Sequence, residues 1–255
     1  MGESRPRSWV VQAVVVGLVV AACGGTSAEV SEFCESVVAT EATISEGPGE
    51  DVAGWAGQVT ETLTELEQQA PDEVAGAVST ITGILLPAIE SGSEEELFNG
   101  LESTEFREAA EVVDGYMVDE CGWQVTDVTA VDYQFETDLS GLEAGYNGFA
   151  FANGGTEMHE MALIRFNDDT TETIEELLEL PEEEAFSKIT MPGGSFAMPE
   201  ESDTLFVDLE PGRYAIACFL PVGATPENID ALESGELDGP PHFSQGMVQE
   251  FTIEG

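Results

Sequence analysis

Two periodicities divide the chain. From Ser31 to Trp123 apolar residues recur at helical spacing: Phe33, Val37, Val38 and Ile44, then Val59, Leu63 and Leu66, then Val74, Val78, Ile81, Leu85 and Ile89. A last run opens at Ser103 and carries Val112, Val113, Tyr116 and Met117. Gly-Pro-Gly at 47–49, Ala70-Pro71 and Ser-Gly-Ser at 91–93 interrupt these runs as helix breaks. The spacing predicts a small antiparallel bundle of about four helices over residues 31–124.

From Val125 onward the period becomes two. Strands are predicted at Val128–Phe135, Tyr146–Asn153, Met158–Phe166, Gly194–Met198, Thr204–Leu209, Arg213–Leu220 and Met247–Ile253. In the sixth of these, Tyr214, Ile216 and Cys218 share one face. An acidic helical insertion, broken near Pro181, spans about residues 170–190. Short strands with regular turns argue a β-sandwich over 125–255. The expected fold class is therefore α+β, a helical bundle followed by a sandwich.

Ahead of both lies a targeting segment. Arg5 and Arg7 precede an apolar run from Trp9 to Val20 that is too short for a stable membrane span. Val20-Ala21-Ala22-Cys23-Gly24 resembles a bacterial lipoprotein lipobox. The resemblance implies a signal peptide over 1–22, lipidation of Cys23, a tether over 23–30, and an extracytoplasmic protein held to the cell membrane by lipid.

Six basic against 52 acidic residues give a formal charge of -46, which repels phosphate backbones and excludes nucleic acid as a partner. The carboxylates are spread along the chain, which reads as an acidic solvated surface. Location also sets the cysteine chemistry. Cys34 and Cys121 bracket the bundle and are expected to pair outside the cytoplasm, contributing about 4–5 kcal/mol in the chain-entropy picture. Cys218 is then an odd thiol.

That thiol has company. Cys218, His242 and Met247 lie between the last two predicted strands, and the chain's other histidine is His159. One thiolate, two imidazoles and a weak thioether are the donor set of a blue-copper site. Taken singly, each residue reads better as core than as a ligand: a buried thiol, an edge-strand histidine, a packed methionine.

The order L-x-A-G-Y-x-x-F-x-x-x-N, M-H-E, L-x-P-G-R-Y-x-x-x-C and H-x-x-x-G-M-V-x-x-F-x-I resembles a cupredoxin, the plastocyanin and azurin type of Greek-key sandwich, over roughly 125–255. The resemblance implies one copper ion held by His159, Cys218, His242 and axial Met247. The chain departs from the family in the loop between Cys218 and His242, which stand 24 positions apart where electron-transfer members have a few residues. The N-terminal half is similar, more loosely, to the helical region of actinobacterial-type lipoproteins, which carries no activity.

Three readings follow. The first is an anchored copper protein for electron transfer or copper holding, with a redox partner or a cuprous-ion donor or acceptor. The second is a metal-free cupredoxin-like binding module at the cell surface. The third is a cuprous-ion carrier that adds Met158 and Met161 to Met247. No Ser-His-Asp order, phosphate loop or Cys-x-x-Cys marks an enzyme, so none is expected.

Overall fold

The structure is a computed structural model that describes residues 27–45, 47, 51–101 and 103–255. The targeting segment, Cys23 and the start of the tether lie outside the described residues. Among the described residues no helix is long and apolar enough to cross a membrane.

The helical part holds α1 (Ser27–Ser45), α2 (Val52–Gln69), α3 (Ala75–Ser91), α4 (Glu94–Leu101) and α5 (Thr104–Glu120). The expected helices are present, with two additions. Helix α1 begins at Ser27, inside the segment read as tether. The Ser-Gly-Ser break is followed at once by α4, too short at 8 residues for its apolar face to register as a period. The starts follow capping chemistry: Asp51 accepts from Gly54 N–H at 2.9 Å ahead of α2, and Ser103 from Phe106 N–H at 3.2 Å ahead of α5. Gly92 ends α3 in the left-handed conformation that glycine adopts without penalty. A disulfide joins Cys34 in α1 to Cys121 just past α5, with the Cα atoms 6.0 Å apart.

Two four-stranded sheets follow. The first has the order β2 (Gln134–Glu136), β1 (Gln124–Val131), β3 (Gly145–Asn153), β6 (Ser202–Leu209); β1 and β3 run parallel. The second has the order β5 (Ile189–Ala197), β4 (His159–Phe166), β7 (Gly212–Ala217), β8 (Val248–Ile253), all antiparallel. The stretch 128–135, predicted as one strand, is a hairpin: the chain reverses at Asp132-Tyr133, with Tyr133 at φ 70°. No glycine marks that turn, so the alternation runs through it unbroken. Strand β5 starts earlier than its apolar pattern does, because Gly193 and Gly194, lying close against Leu205 and the Met161 carbonyl, interrupt that pattern.

Alternation sorts side chains into layers. Val128, Phe149, Leu205 and Val207 from the first sheet meet Met161, Leu163, Tyr214, Ile216 and Ile253 from the second in one core. Phe206 points the other way, into a cluster with Phe33, Val37, Val78, Val113 and Met117, so the helices cover the outer face of the first sheet. Trp123 stacks on Tyr146 at 4.7 Å in the same seam. The outer face of the second sheet is covered by α6 (Ile174–Leu178), whose Ile174 and Leu177 pack on Ile164, Phe166, Ala215 and Ala217. With α7 (Glu182–Phe186) this is the predicted acidic insertion, and Pro181 divides it. Each fully buried Phe or Leu in these layers contributes ~1.5–3 kcal/mol.

Candidate metal centre

Strand β4 begins at His159, and β7 ends one residue before Cys218. The turn from β3 into β4 is held by Asn153, buried, whose amide donates to the Glu157 and Ala197 carbonyls at 2.8 and 2.9 Å and accepts from Gly155 N–H at 2.8 Å. His159 and Cys218 thus stand at the same end of neighbouring strands.

His242 arrives by a different route. The long loop folds back on itself: Val222 N–H donates to the Pro240 carbonyl at 2.9 Å, His242 N–H to Leu220 at 2.8 Å, and Phe243 N–H to Cys218 at 2.9 Å. Its ends are zipped together, so loop length does not displace His242. The middle of the loop, with α8 (Ile229–Glu233), is an excursion beyond this zipper. Met158 N–H pins it to the Ala224 carbonyl at 2.7 Å.

The result is a convergent set of donors. Cys218 Sγ lies 3.3 Å from His242 Nδ1, and His159 Nδ1 lies 3.2 Å from His242 Nδ1. The three ligand atoms lie within 4.8 Å of one another, and all three residues are fully buried. Met247 is also fully buried and shares the apolar core with Cys218. Its N–H donates to the His242 carbonyl and its carbonyl accepts from Cys218 N–H, both at 3.2 Å, so its backbone ties the other two residues together.

The outward nitrogens of both imidazoles face carboxylates. His242 Nε2 is 3.0 Å from Glu157 Oε2, a hydrogen bond. His159 Nε2 is 3.5 Å from Asp132 Oδ1; that contact is electrostatic, and the nitrogen is buried without a hydrogen-bond partner. Gly155 makes room for this imidazole, since a Cβ there would fall 2.8 Å from Nε2. The sequence reading missed Glu157 and Asp132. Among 52 acidic residues neither carries a mark, and Asp132 becomes a neighbour only through the hairpin turn.

Charge and burial set the protonation states. Burial pushes the Cys218 thiol up to about 12, with the Glu160 carboxylate adding to the effect and the Glu160 N–H, 3.4 Å from Sγ, opposing it. Burial, then repulsion from His242, lowers His159, so its ring favours the neutral form that ligates metals. Burial alone would raise Glu157, but Gly223 N–H, the Tyr133 hydroxyl and His242 outweigh it and hold the carboxylate below its usual range. Glu160 is raised by burial and accepts from Phe219 N–H at 2.7 Å, which fixes the strand end that carries Cys218.

No family model matches the chain, and no curated protein matches it. Solved structures show a partial similarity to about half of the chain. Na-dithionite reduced auracyanin from the photosynthetic bacterium Roseiflexus castenholzii is 14% identical, covering 52% of this chain and 98% of that one, with a TM-score of 0.33. A multicopper oxidase is 16% identical over 51% of this chain and 41% of that one, with a TM-score of 0.25. The multi-copper oxidase from Pediococcus acidilactici is 13% identical over 51% and 25%, with a TM-score of 0.24. The chain thus spans less than half the length of either oxidase.

The residues fit a copper ion on their own chemistry. One soft sulfur and two imidazole nitrogens converge in a buried space, and the outward His159 Nε2 is buried without a hydrogen-bond partner. Carboxylates behind both ligand imidazoles are the outer partners that orient such ligands.

Proposed function

We propose that this protein binds one copper ion through His159, Cys218 and His242, with Met247 as a weak axial donor, and serves in electron transfer or copper holding. The carrying observation is the convergence of the Cys218 sulfur and one nitrogen of each imidazole within 4.8 Å, each imidazole backed by a carboxylate. A buried metal-free thiol needs no such neighbours. Two-sheet packing with strand connections that cross between sheets supports a cupredoxin-like Greek-key reading. The bound ion supplies the one-electron chemistry; the chain supplies a thiolate, two oriented imidazoles and a dry setting.

The same reading places the protein on the extracytoplasmic face of the cell membrane, held by lipid on Cys23. This rests on the lipobox resemblance and on the oxidised Cys34–Cys121 pair. Its partner there is a redox protein or a cuprous-ion donor or acceptor, and the protein is not itself an enzyme.

Titrating the purified protein with Cu(II) tests the centre. Intense visible absorption from thiolate-to-copper charge transfer is expected at one equivalent and is absent in Cys218→Ser. Met247→Leu retains the colour and raises the reduction potential, because a weak axial donor is removed. A colourless protein that binds no copper would leave a metal-free binding module.

A further inference from the structure

Glu157 collects three donors from three parts of the chain. Its Oε2 accepts from Gly223 N–H at 2.6 Å and faces His242 Nε2 at 3.0 Å; its Oε1 accepts from the Tyr133 hydroxyl at 2.8 Å. Gly223 belongs to the long loop, His242 to that loop's return, and Tyr133 to the β1–β2 turn, where its ring sits edge-on to His242 at 5.2 Å. The glutamate is itself 14% exposed in its side chain, and the ring it touches is fully buried.

We propose that Glu157 is the positioning residue of the metal centre: it orients the His242 ring so that Nδ1 faces Cys218 and His159, and it latches the Cys218–His242 loop over the site. The inference rests on the metal-centre reading for its purpose, though not for its geometry. A carboxylate accepts and cannot donate, so the proton on His242 resides at Nε2, and in the neutral ring Nδ1 is left as a bare lone pair. That nitrogen lies 3.3 Å from Sγ and 3.2 Å from the other imidazole. The latch also answers how a loop this long stays closed. Its zipper ends at Val222, and the next residue, Gly223, is the one Glu157 holds. Loop and ligand are therefore fastened by one oxygen atom.

The test is made on the metal-free full-length protein at pH 8, by ring-nitrogen NMR of His242 and amide exchange at Gly223. In the parent protein His242 is expected as the Nε2–H tautomer, with a protected Gly223 amide. Glu157→Ala should mix the tautomers and speed Gly223 exchange at least tenfold. Glu157→Gln, whose amide oxygen can replace Oε2 toward both donors, should keep the tautomer and most of the protection. Finding the Nδ1–H tautomer in the parent protein overturns the proposal without any variant. So does Glu157→Ala that leaves both tautomer and Gly223 exchange unchanged. Copper plays no part in these measurements, so a failed copper titration with the Nε2–H tautomer intact sinks the metal reading alone.

Discussion

His159 Nδ1 and His242 Nδ1 face each other across 3.2 Å from positions 83 residues apart, with the Cys218 sulfur 3.3 Å from the second of them. Two bare lone pairs at that distance would repel, so without a bridging ion one of the two nitrogens would carry a proton. Glu157 claims the His242 proton for Nε2, which assigns the intervening one to His159 Nδ1 and leaves His159 Nε2 without a hydrogen bond.

Copper uptake at this site would then have a defined proton stoichiometry. Copper bound through these atoms would need the His159 proton on the other ring nitrogen, facing Asp132, and the Cys218 thiol deprotonated. Because burial holds that thiol up at about 12, it is protonated at neutral pH, and apparent copper affinity should rise about tenfold per pH unit. The depressed His159 adds little further competition from protons near neutrality. Calorimetry in buffers of different ionisation enthalpy should find about one proton released per copper at pH 7 to 8. Zero released protons would remove Cys218 from the ligand set.

The disulfide should matter to the helical layer. Cys34 and Cys121 close a span of 87 positions, and Cys34 is buried beside Phe33 and Met117. Replacing both by Ala should lower stability by about 3–5 kcal/mol in urea unfolding. Peptide mapping without reductant should recover Cys218 as a free thiol; finding it bridged would undo the metal centre.

A second pH effect belongs to the seam between helices and first sheet. Asp114 of α5 is raised to about 7 by burial first, then by Asp203 of β6 and Glu111. Glu41 of α1 is raised by burial and by Asp114, and its Oε2 is buried without a partner. A raised carboxyl keeps its proton in the folded state after the unfolded chain has lost it. Stability should therefore fall as pH rises from about 4 to about 7, then level off. Asp114→Asn should be more stable than the parent at pH 8 by about 2 kcal/mol, below the full conversion at ~1.4 kcal/mol per unit because the site is partly solvated. Urea unfolding at pH 5 and pH 8 checks this; an unchanged pH slope in the variant would refute it.

Anchoring is tested apart from the fold. Cys23→Ser should move the protein from the membrane fraction to the soluble one, since stable attachment needs more than one acyl chain. Continued sedimentation with membranes would refute the lipoprotein reading.

Periodicity set the order of the longer helices and of most strands. Phe33, Val37 and Val78 recur as a helix must space them, and Tyr214, Ile216 and Cys218 alternate as a half-buried strand must. The four proposed ligands came from the cupredoxin resemblance, in whose order both histidines, Met247 and the only cysteine outside the bridge and the lipobox fall. What required tertiary structure is whatever depends on distant segments meeting. The hairpin at Tyr133 has no glycine signature, yet it delivers both Asp132 and the Tyr133 ring to the centre. Phe206 reads as one more strand residue, and only the packing of helices on the outer face explains its burial. Loop length between Cys218 and His242 argued against a compact site, since chain length is visible in a sequence and the backbone zipper that cancels it is not. Glu157 is one carboxylate among many until folding sets it against Gly223, Tyr133 and His242, where burial and three convergent donors give it a role that composition hides.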